Sequence, residues 1–340
     1  MSITVVGTGA IGGTIGAYLA RGGNSVRFVD QDREHVAAMR RRGLTIQGFA
    51  ETFTVPADVC LPEELTGALD VVLLAVKSQH TKTALEGFVH LLTPGSMVVS
   101  LQNGLCERII ADMAGAERTI GSFVNFSADY LEPGVIAYGG AGSLYLGELD
   151  GRLSDRIRSL QALLSAWGEA TVTENIWGYL WGKLGYANML FATALADETM
   201  ADVIDRYRLL MIDLACEMYA VAEREGVRVE PFDNVEPSLY YPVENRDPVA
   251  INRSLDALVA RRRRDQKAKS GIWRDLAVRH RKTEVDEQIG LAAQIGASHG
   301  LQMPLTRELV RMIHRLEDGS IAMSWSNLDQ LNALRASGAR

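Results

Sequence analysis

The chain of 340 residues has only three cysteines, Cys60, Cys106 and Cys216, and they lie far apart. An odd number at such spacings excludes a disulfide framework and makes no zinc-knuckle pattern, so a reducing, cytoplasmic setting without a metal is expected. Positive charge is also short: 35 Lys and Arg face 42 Asp and Glu, a formal net charge of -7. Proteins that hold nucleic acid need an excess of cations to neutralise phosphates, so no nucleic-acid partner is expected. The one basic run, Arg261 to Arg264 with Lys267 and Lys269, reads as a solvated helix face, with a patch for an anionic ligand as the alternative. Proline is scarce, at nine residues, whereas hydrophobic residues make up 47%. That composition buries a core and excludes disorder as the main state. No stretch offers about 20 apolar residues with few interruptions. The nearest, Trp177 to Ala196, is broken by Lys183 and Asn188. The first twenty residues are rather apolar but lack a basic start and carry five glycines, so neither an export signal nor a membrane partner is expected.

Glycine is what the sequence has in mild excess, at 32 residues, and its placement is informative. Gly7-Thr8-Gly9-Ala10-Ile11-Gly12 follows the apolar run Ile3 to Val6 and precedes a helical pattern reaching Gly22. Strand, glycine turn and helix in that order are the dinucleotide-binding arrangement. The first glycine permits the sharp turn, the second lets backbone approach a pyrophosphate, and the third allows close helix–strand packing, with the helix N-terminus facing the anion. Asp30 ends the next apolar run, Ser25 to Val29. A carboxylate there accepts hydrogen bonds from the adenosine ribose and repels a 2′-phosphate, which favours NAD over NADP. Arg27 and Arg33 could reach a phosphate instead, and Asp30 could simply cap the helix predicted over Asp32 to Arg42.

Further alternation predicts a hairpin over Leu44 to Val55, buried strands at Asp70 to Val76 and Met97 to Leu101, and helices at Thr81 to Leu92 and Cys106 to Ala114. From Thr119 to Thr173 come short strands, among them Gly134 to Tyr138 and Ser143 to Gly147, and one helix near Leu153 to Trp167, read as the closing edge of the first domain. Beyond Glu174 only helical periodicity appears, over Ile176 to Leu195, Met200 to Glu225, Val249 to Arg263, Thr283 to His299 and Pro304 to Leu316. The expected fold is therefore α/β: an N-terminal Rossmann domain, residues 1–174, built on a doubly wound parallel sheet, and an all-α C-terminal substrate and dimerisation domain, residues 175–340.

In an open parallel sheet ligands sit beyond the carboxyl ends of strands, which singles out Lys77 and Asn103. Lys183 is the only charged residue between Asn175 and Ala196. A helix apolar nearly all round is buried, and burial makes an ammonium a better proton donor near neutral pH. Hydride transfer to a carbonyl carbon needs such a donor for the oxygen.

These pieces together resemble the ketopantoate reductase (2-dehydropantoate 2-reductase) family. The resemblance rests on GTGAIGG, GLTIQG, AVKSQHT, LQNG, PGVIAYGG, YLGELDG, LWGKL, RDLAVRHRKTEVD and the distal Met303-Pro304, in that order along the chain. It implies Lys183 as general acid, Glu284 close to it, and Lys77 and Asn103 near nicotinamide and substrate. Some positions depart from the family. The asparagines usual four and eight residues after the lysine are Ala187 and Phe191, while Asn188 sits about 100° around the helix. Ser270-Gly271-Ile272 replaces the usual Ser-Met, and the spacing from Asp275 to Glu284 is one residue longer. Members typically use NADPH with a basic residue after the second strand, where this chain has Asp30 and Gln31. The expectation is an NAD-dependent oxidoreductase of a small carbonyl or hydroxy acid, with an altered substrate pocket and with Asn103, Asn188 and Ser270 toward the substrate. An NADPH-dependent 2-dehydropantoate 2-reductase is the alternative, a non-catalytic NAD sensor a more distant one, and a homodimer stays open.

Overall fold

The computed structural model describes residues 2–140, 142–264 and 267–338. The chain divides into two units, Met1–Ile176 and Trp177–Arg340.

The first unit opens with β1 (Ile3–Val6), helix α1 (Ala10–Arg21), β2 (Val26–Val29) and α2 (Arg33–Arg42). Then come β3 (Leu44–Gly48), β4 (Thr52–Val55), β5 (Asp58–Cys60), β6 (Leu69–Leu74), α3 (Thr81–Phe88), β7 (Leu92–Ser100) and α4 (Cys106–Ala114). It closes with β8 (Thr119–Asn125), β9 (Ala128–Glu132), β10 (Val135–Tyr138), β11 (Ser143–Glu148), α5 (Asp155–Leu164) and β12 (Ala170–Val172). Eight strands make one sheet in the order β12-β11-β8-β7-β6-β1-β2-β5, parallel throughout except for the β8–β11 pair. Along β6 successive side chains serve opposite faces: Val71 and Leu73 join the core with Ile15 of α1 and Leu160 of α5, whereas Val72 and Leu74 join Leu85 and Phe88 of α3 and Ile110 of α4. A strand buried on both sides has no room for polar alternation, which explains its continuous Val/Leu run. The register pairs Val6 with both Val29 and Leu74, and Leu74 with Ser100. The carboxyl ends of β1, β2, β6 and β7 therefore open onto one edge, at the point where strand order reverses on either side of β1.

The predicted hairpin is present as β3–β4, and it joins β9 and β10 in a second sheet, ordered β4-β3-β10-β9. That sheet packs on α1, where Tyr18 meets Phe53 and Tyr138 edge-on at 5.0 and 5.5 Å. Ile136 of β10 occupies the space a side chain at Gly13 would need, its Cδ1 lying 2.4 Å from that glycine's ideal Cβ position.

The described residues of the second unit form helices α6 (Ile176–Thr193), α7 (Met200–Arg206), α8 (Arg208–Arg224), α9 (Pro248–Arg264), α10 (Gly271–Ala277), α11 (Leu291–Ser298), α12 (Pro304–Glu317) and α13 (Trp325–Gly338). The single helix expected over Met200 to Glu225 is two, broken at Tyr207, whose hydroxyl donates to Asp329 Oδ1 at 2.6 Å while its ring stacks on Trp325. The helix expected over Thr283 to His299 contains a π turn, Asp286–Gly290, in which the Gly290 N–H reaches back to the Val285 carbonyl at 2.8 Å. Helices α10 and α13 carry no periodicity strong enough to predict them. No helix among the described residues is long and apolar enough to cross a membrane.

Candidate active site

The three motif glycines meet different surroundings. Gly7 has φ +90°, and a Cβ on it would lie 2.7 Å from the Val76 nitrogen at the end of β6. Gly12 is closed off too: its Cβ would stand 2.2 Å from the Gly7 carbonyl oxygen and 2.8 Å from the Ala75 Cβ. Gly9 has nothing within 4 Å of that position. It precedes α1 with no side chain capping the helix, so no side-chain acceptor at the N-cap takes up the first amides of α1. Ala10 and Ile11 form the first helical residues behind it, and the Thr14 hydroxyl turns back onto the Ala10 carbonyl at 2.7 Å.

Asp30 follows β2 and is tied to this loop. Its Oδ2 accepts the Thr8 N–H at 2.7 Å and the Thr8 hydroxyl at 3.1 Å, and its Oδ1 accepts the Asp32 N–H at 3.0 Å. An ionised carboxylate has about four acceptor positions, so about one is left for a ribose hydroxyl. Asp32 rather than Asp30 caps α2, accepting from the Glu34 and His35 amides. Both arginines that could meet a 2′-phosphate form exposed ion pairs, Arg27 with Asp58 at 2.9 Å and Arg33 with Glu63 at 2.7 Å. Tyr130 of β9 stands nearby, its hydroxyl pushed up to about 12 by burial and by the charges of Asp32 and Asp30.

Lys77 is half-buried three residues past β6, and Asn103 is exposed three residues past β7. Gln102, next to Asn103 and not singled out by its spacing, links the two loops. Its amide donates to the Val76 carbonyl at 2.9 Å and to the Thr81 hydroxyl at 2.8 Å. The first unit thus gathers Gly7 to Gly12, Asp30, Lys77 and Asn103 along one sheet edge.

In the second unit Lys183 is half-buried on α6. Two glycines flank it and let other elements approach closely. A Cβ at Gly182 would meet the Glu230 carbonyl at 2.8 Å, and one at Gly185 would lie 2.3 Å from the Tyr219 ring of α8. Glu284 is half-buried and its carbonyl accepts the Gln288 N–H at 3.1 Å, so it begins the helix that contains the π turn. Asn188 is elsewhere: fully buried, its amide donates to the Leu214 carbonyl and the Thr306 hydroxyl, each at 2.8 Å. Ser270 is also buried, and its hydroxyl accepts the Trp273 N–H at 3.1 Å as the cap of α10. Asn188 thus ties α6 to α8 and α12, and Ser270 closes the N-terminus of its own helix. Among the described residues no group of three or more His, Cys, Asp or Glu could hold a metal ion.

A family model described as ketopantoate reductase PanE/ApbA matches residues 3–151, and one described as ketopantoate reductase PanE/ApbA C terminal matches residues 175–317. The chain is 28% identical over 322 residues to a 2-dehydropantoate 2-reductase of Halobacterium salinarum, covering 93% of this chain and 99% of the relative. A solved 2-dehydropantoate 2-reductase from Geobacter metallireducens superposes with a TM-score of 0.79 at 26% identity, covering 93% of this chain and 99% of that one. D-mandelate dehydrogenase, solved with NADH and anilino(oxo)acetate, shares the fold at a TM-score of 0.78 and 22% identity, with 94% and 99% covered. The two family models follow one another along the chain in the order of its two units, and together with the relative they establish that this chain belongs to the ketopantoate reductase family of oxidoreductases.

Proposed function

We propose that this chain is an NAD-dependent oxidoreductase that moves a hydride between a nicotinamide and a small 2-oxo or 2-hydroxy acid. The observation that carries the cofactor half is Asp30: a carboxylate at the end of β2, bonded to the glycine loop. Bound there, the dinucleotide would supply or accept the hydride. Gly9 and the first turn of α1 would face its pyrophosphate, and Asp30 would accept from the ribose. Lys77 and Asn103 would lie toward the nicotinamide and the substrate carboxylate.

Lys183 is the proton donor in this reading. As hydride reaches the carbonyl carbon, the oxygen takes a proton from the ammonium, and in the reverse direction the neutral amine removes it from the alcohol. Glu284 would orient the ammonium and oppose its desolvation. Relatives named 2-dehydropantoate 2-reductase make NADPH-dependent reduction of ketopantoate the second reading.

The test is a panel of 2-oxo and 2-hydroxy acids, ketopantoate and mandelate included, assayed with NADH and with NADPH. NADH is expected to be the better cofactor. Turnover with NADPH and ketopantoate alone would favour the second reading. On the best substrate, Lys183→Ala is expected to lower kcat roughly 10²–10⁴-fold, and a loss of only a few-fold would remove the lysine from the chemistry.

A further inference from the structure

We propose that His35 is a positioning residue for the dinucleotide: a buried imidazole, fixed in one tautomer, that holds the Thr8–Gly9 peptide with its N–H turned to the pyrophosphate. The proposal rests on the cofactor reading above. His35 sits in the first turn of α2 and is 1% exposed. Its Nδ1 lies 2.9 Å from the Gly134 amide nitrogen. An amide N–H can only donate, so Nδ1 is the unprotonated acceptor. Nε2 then carries the proton, and it lies 3.0 Å from the Thr8 carbonyl oxygen, which can only accept. Two backbone partners of opposite kind thus settle the tautomer. The ring plane is braced by Tyr130, edge-on at 5.1 Å between centroids.

What this does to the loop follows from peptide geometry. In a trans peptide the C=O and N–H point in opposite directions. With the Thr8 oxygen drawn to His35, the Gly9 N–H is directed away from α2, at the residue where a side chain would meet nothing within 4 Å. Thr8 is also held from its other side, since its N–H and hydroxyl both donate to Asp30. Freed from the imidazole, the peptide could rotate and turn its carbonyl oxygen toward an anion. A loop already set for binding spares the ligand that ordering cost. The second bond, to Gly134 in the β9–β10 turn, ties the glycine loop to the second sheet.

The two bonds can be separated. His35→Gln places an amide donor near the position of Nε2 and keeps the bond to Thr8, while losing the acceptor for Gly134. His35→Asn keeps an acceptor near Nδ1 and loses the donor to Thr8. Melting temperatures are expected to fall in both. The Kd for NADH, measured by calorimetry, is expected to rise at least tenfold in His35→Asn and to stay within about threefold of the unaltered protein in His35→Gln, with kcat at saturating NADH little changed in either. A purely structural histidine would give equal Kd changes in the two variants, or the opposite order, and either result overturns the proposal. If the unaltered protein binds neither NADH nor NADPH, the cofactor reading falls and this falls with it; if it binds and the variants are alike, only this one falls. Should His35→Asn not fold, the unaltered protein decides by nitrogen NMR. A proton on Nε2 of His35 and a shift of the Gly9 amide on adding NADH support the proposal, and a proton on Nδ1 overturns it.

Discussion

A methyl group added at Gly9 and one added at Gly12 should separate binding from folding. The Gly9 backbone has φ −68°, which alanine adopts freely, and no atom stands within 4 Å of the new carbon. Gly9→Ala is therefore expected to melt within about 0.5 kcal/mol of the unaltered protein and to lose at least tenfold in NADH affinity, read by titration. Gly12→Ala must push against the Gly7 carbonyl and Ala75 at 2.2 and 2.8 Å, so it is expected to cost about 3 kcal/mol in urea denaturation. At Asp30 the readout is selectivity. Asp30→Ala is expected to move the ratio of kcat/KM for NADH over NADPH toward NADPH by at least tenfold, because the carboxylate that faces a 2′-phosphate is gone; an unchanged ratio would remove Asp30 from cofactor choice. The strand, glycine turn and helix and the position of Asp30 after β2 were legible in the sequence because local spacing dictates them. His35 and Gln102 were not, since their partners are backbone groups on other segments. Asn188 and Ser270 drew attention where the chain departs from the family's pattern, and the structure shows Asn188 bonded between helices and Ser270 capping α10.

Among the elements, α6 carries Lys183 between two glycines that admit close neighbours. Gly185→Ala illustrates which effect wins. Alanine gains about 1 kcal/mol over glycine in a helix, but its Cβ would lie 2.3 Å from the ring of Tyr219, which is itself fully buried and cannot swing away. The expected outcome is net destabilisation of about 2 kcal/mol by urea midpoint; a stabilised variant would show that α6 and α8 are not packed at this contact. Element boundaries were legible where a helical period ran on into a glycine stop, as in α1; for β6 the apolar run located the strand but not its ends. Three kinds of element were not legible. β5 has only three residues; α10 has seven, too few for a period to register; and the break at Tyr207 depends on Asp329 and Trp325, more than a hundred positions away.

For the whole molecule, the alternation of strands and helices and then its absence was enough to read a Rossmann unit followed by a helical one. The second sheet was hidden, because β3 pairs with β10 across some ninety residues and no local pattern records which strands meet. Charge is the other property of the whole chain, and its effect on stability has a sign that can be derived. Seven described carboxylates sit below their usual range: Glu51 is held down by Arg21, Glu64 by the Leu61 amide, Asp70 by Ser2, Asp197 by Lys269, Asp205 by Arg208 and Asp318 by Ser320. The seventh, Glu148, is pushed up by burial, but Arg156 and Ser154 overcome this and leave it low. Each such group stabilises the fold above its unfolded pKa, about 4, and loses that contribution as pH falls through its folded value. Two carboxylates, Glu217 and Glu287, are raised by burial; what they contribute is present below about pH 4 and is lost as pH rises through their folded values. Stability is therefore expected to fall as pH drops below about 4, with Glu148 contributing most because the other six lowered groups are largely exposed and screened by solvent. Urea midpoints at pH 3, 4, 5 and 7 would test it, and a flat profile from 7 to 3 would reject it. Glu148 supplies the controlled case, since its carboxylate is 2% exposed and takes Nε of Arg156 at 2.7 Å. Glu148→Gln is expected to cost about 3 kcal/mol at pH 7, the low end for a broken buried pair because the arginine is partly solvated. The cost should shrink as pH falls through the folded value of Glu148, because the native carboxylate is then itself protonated.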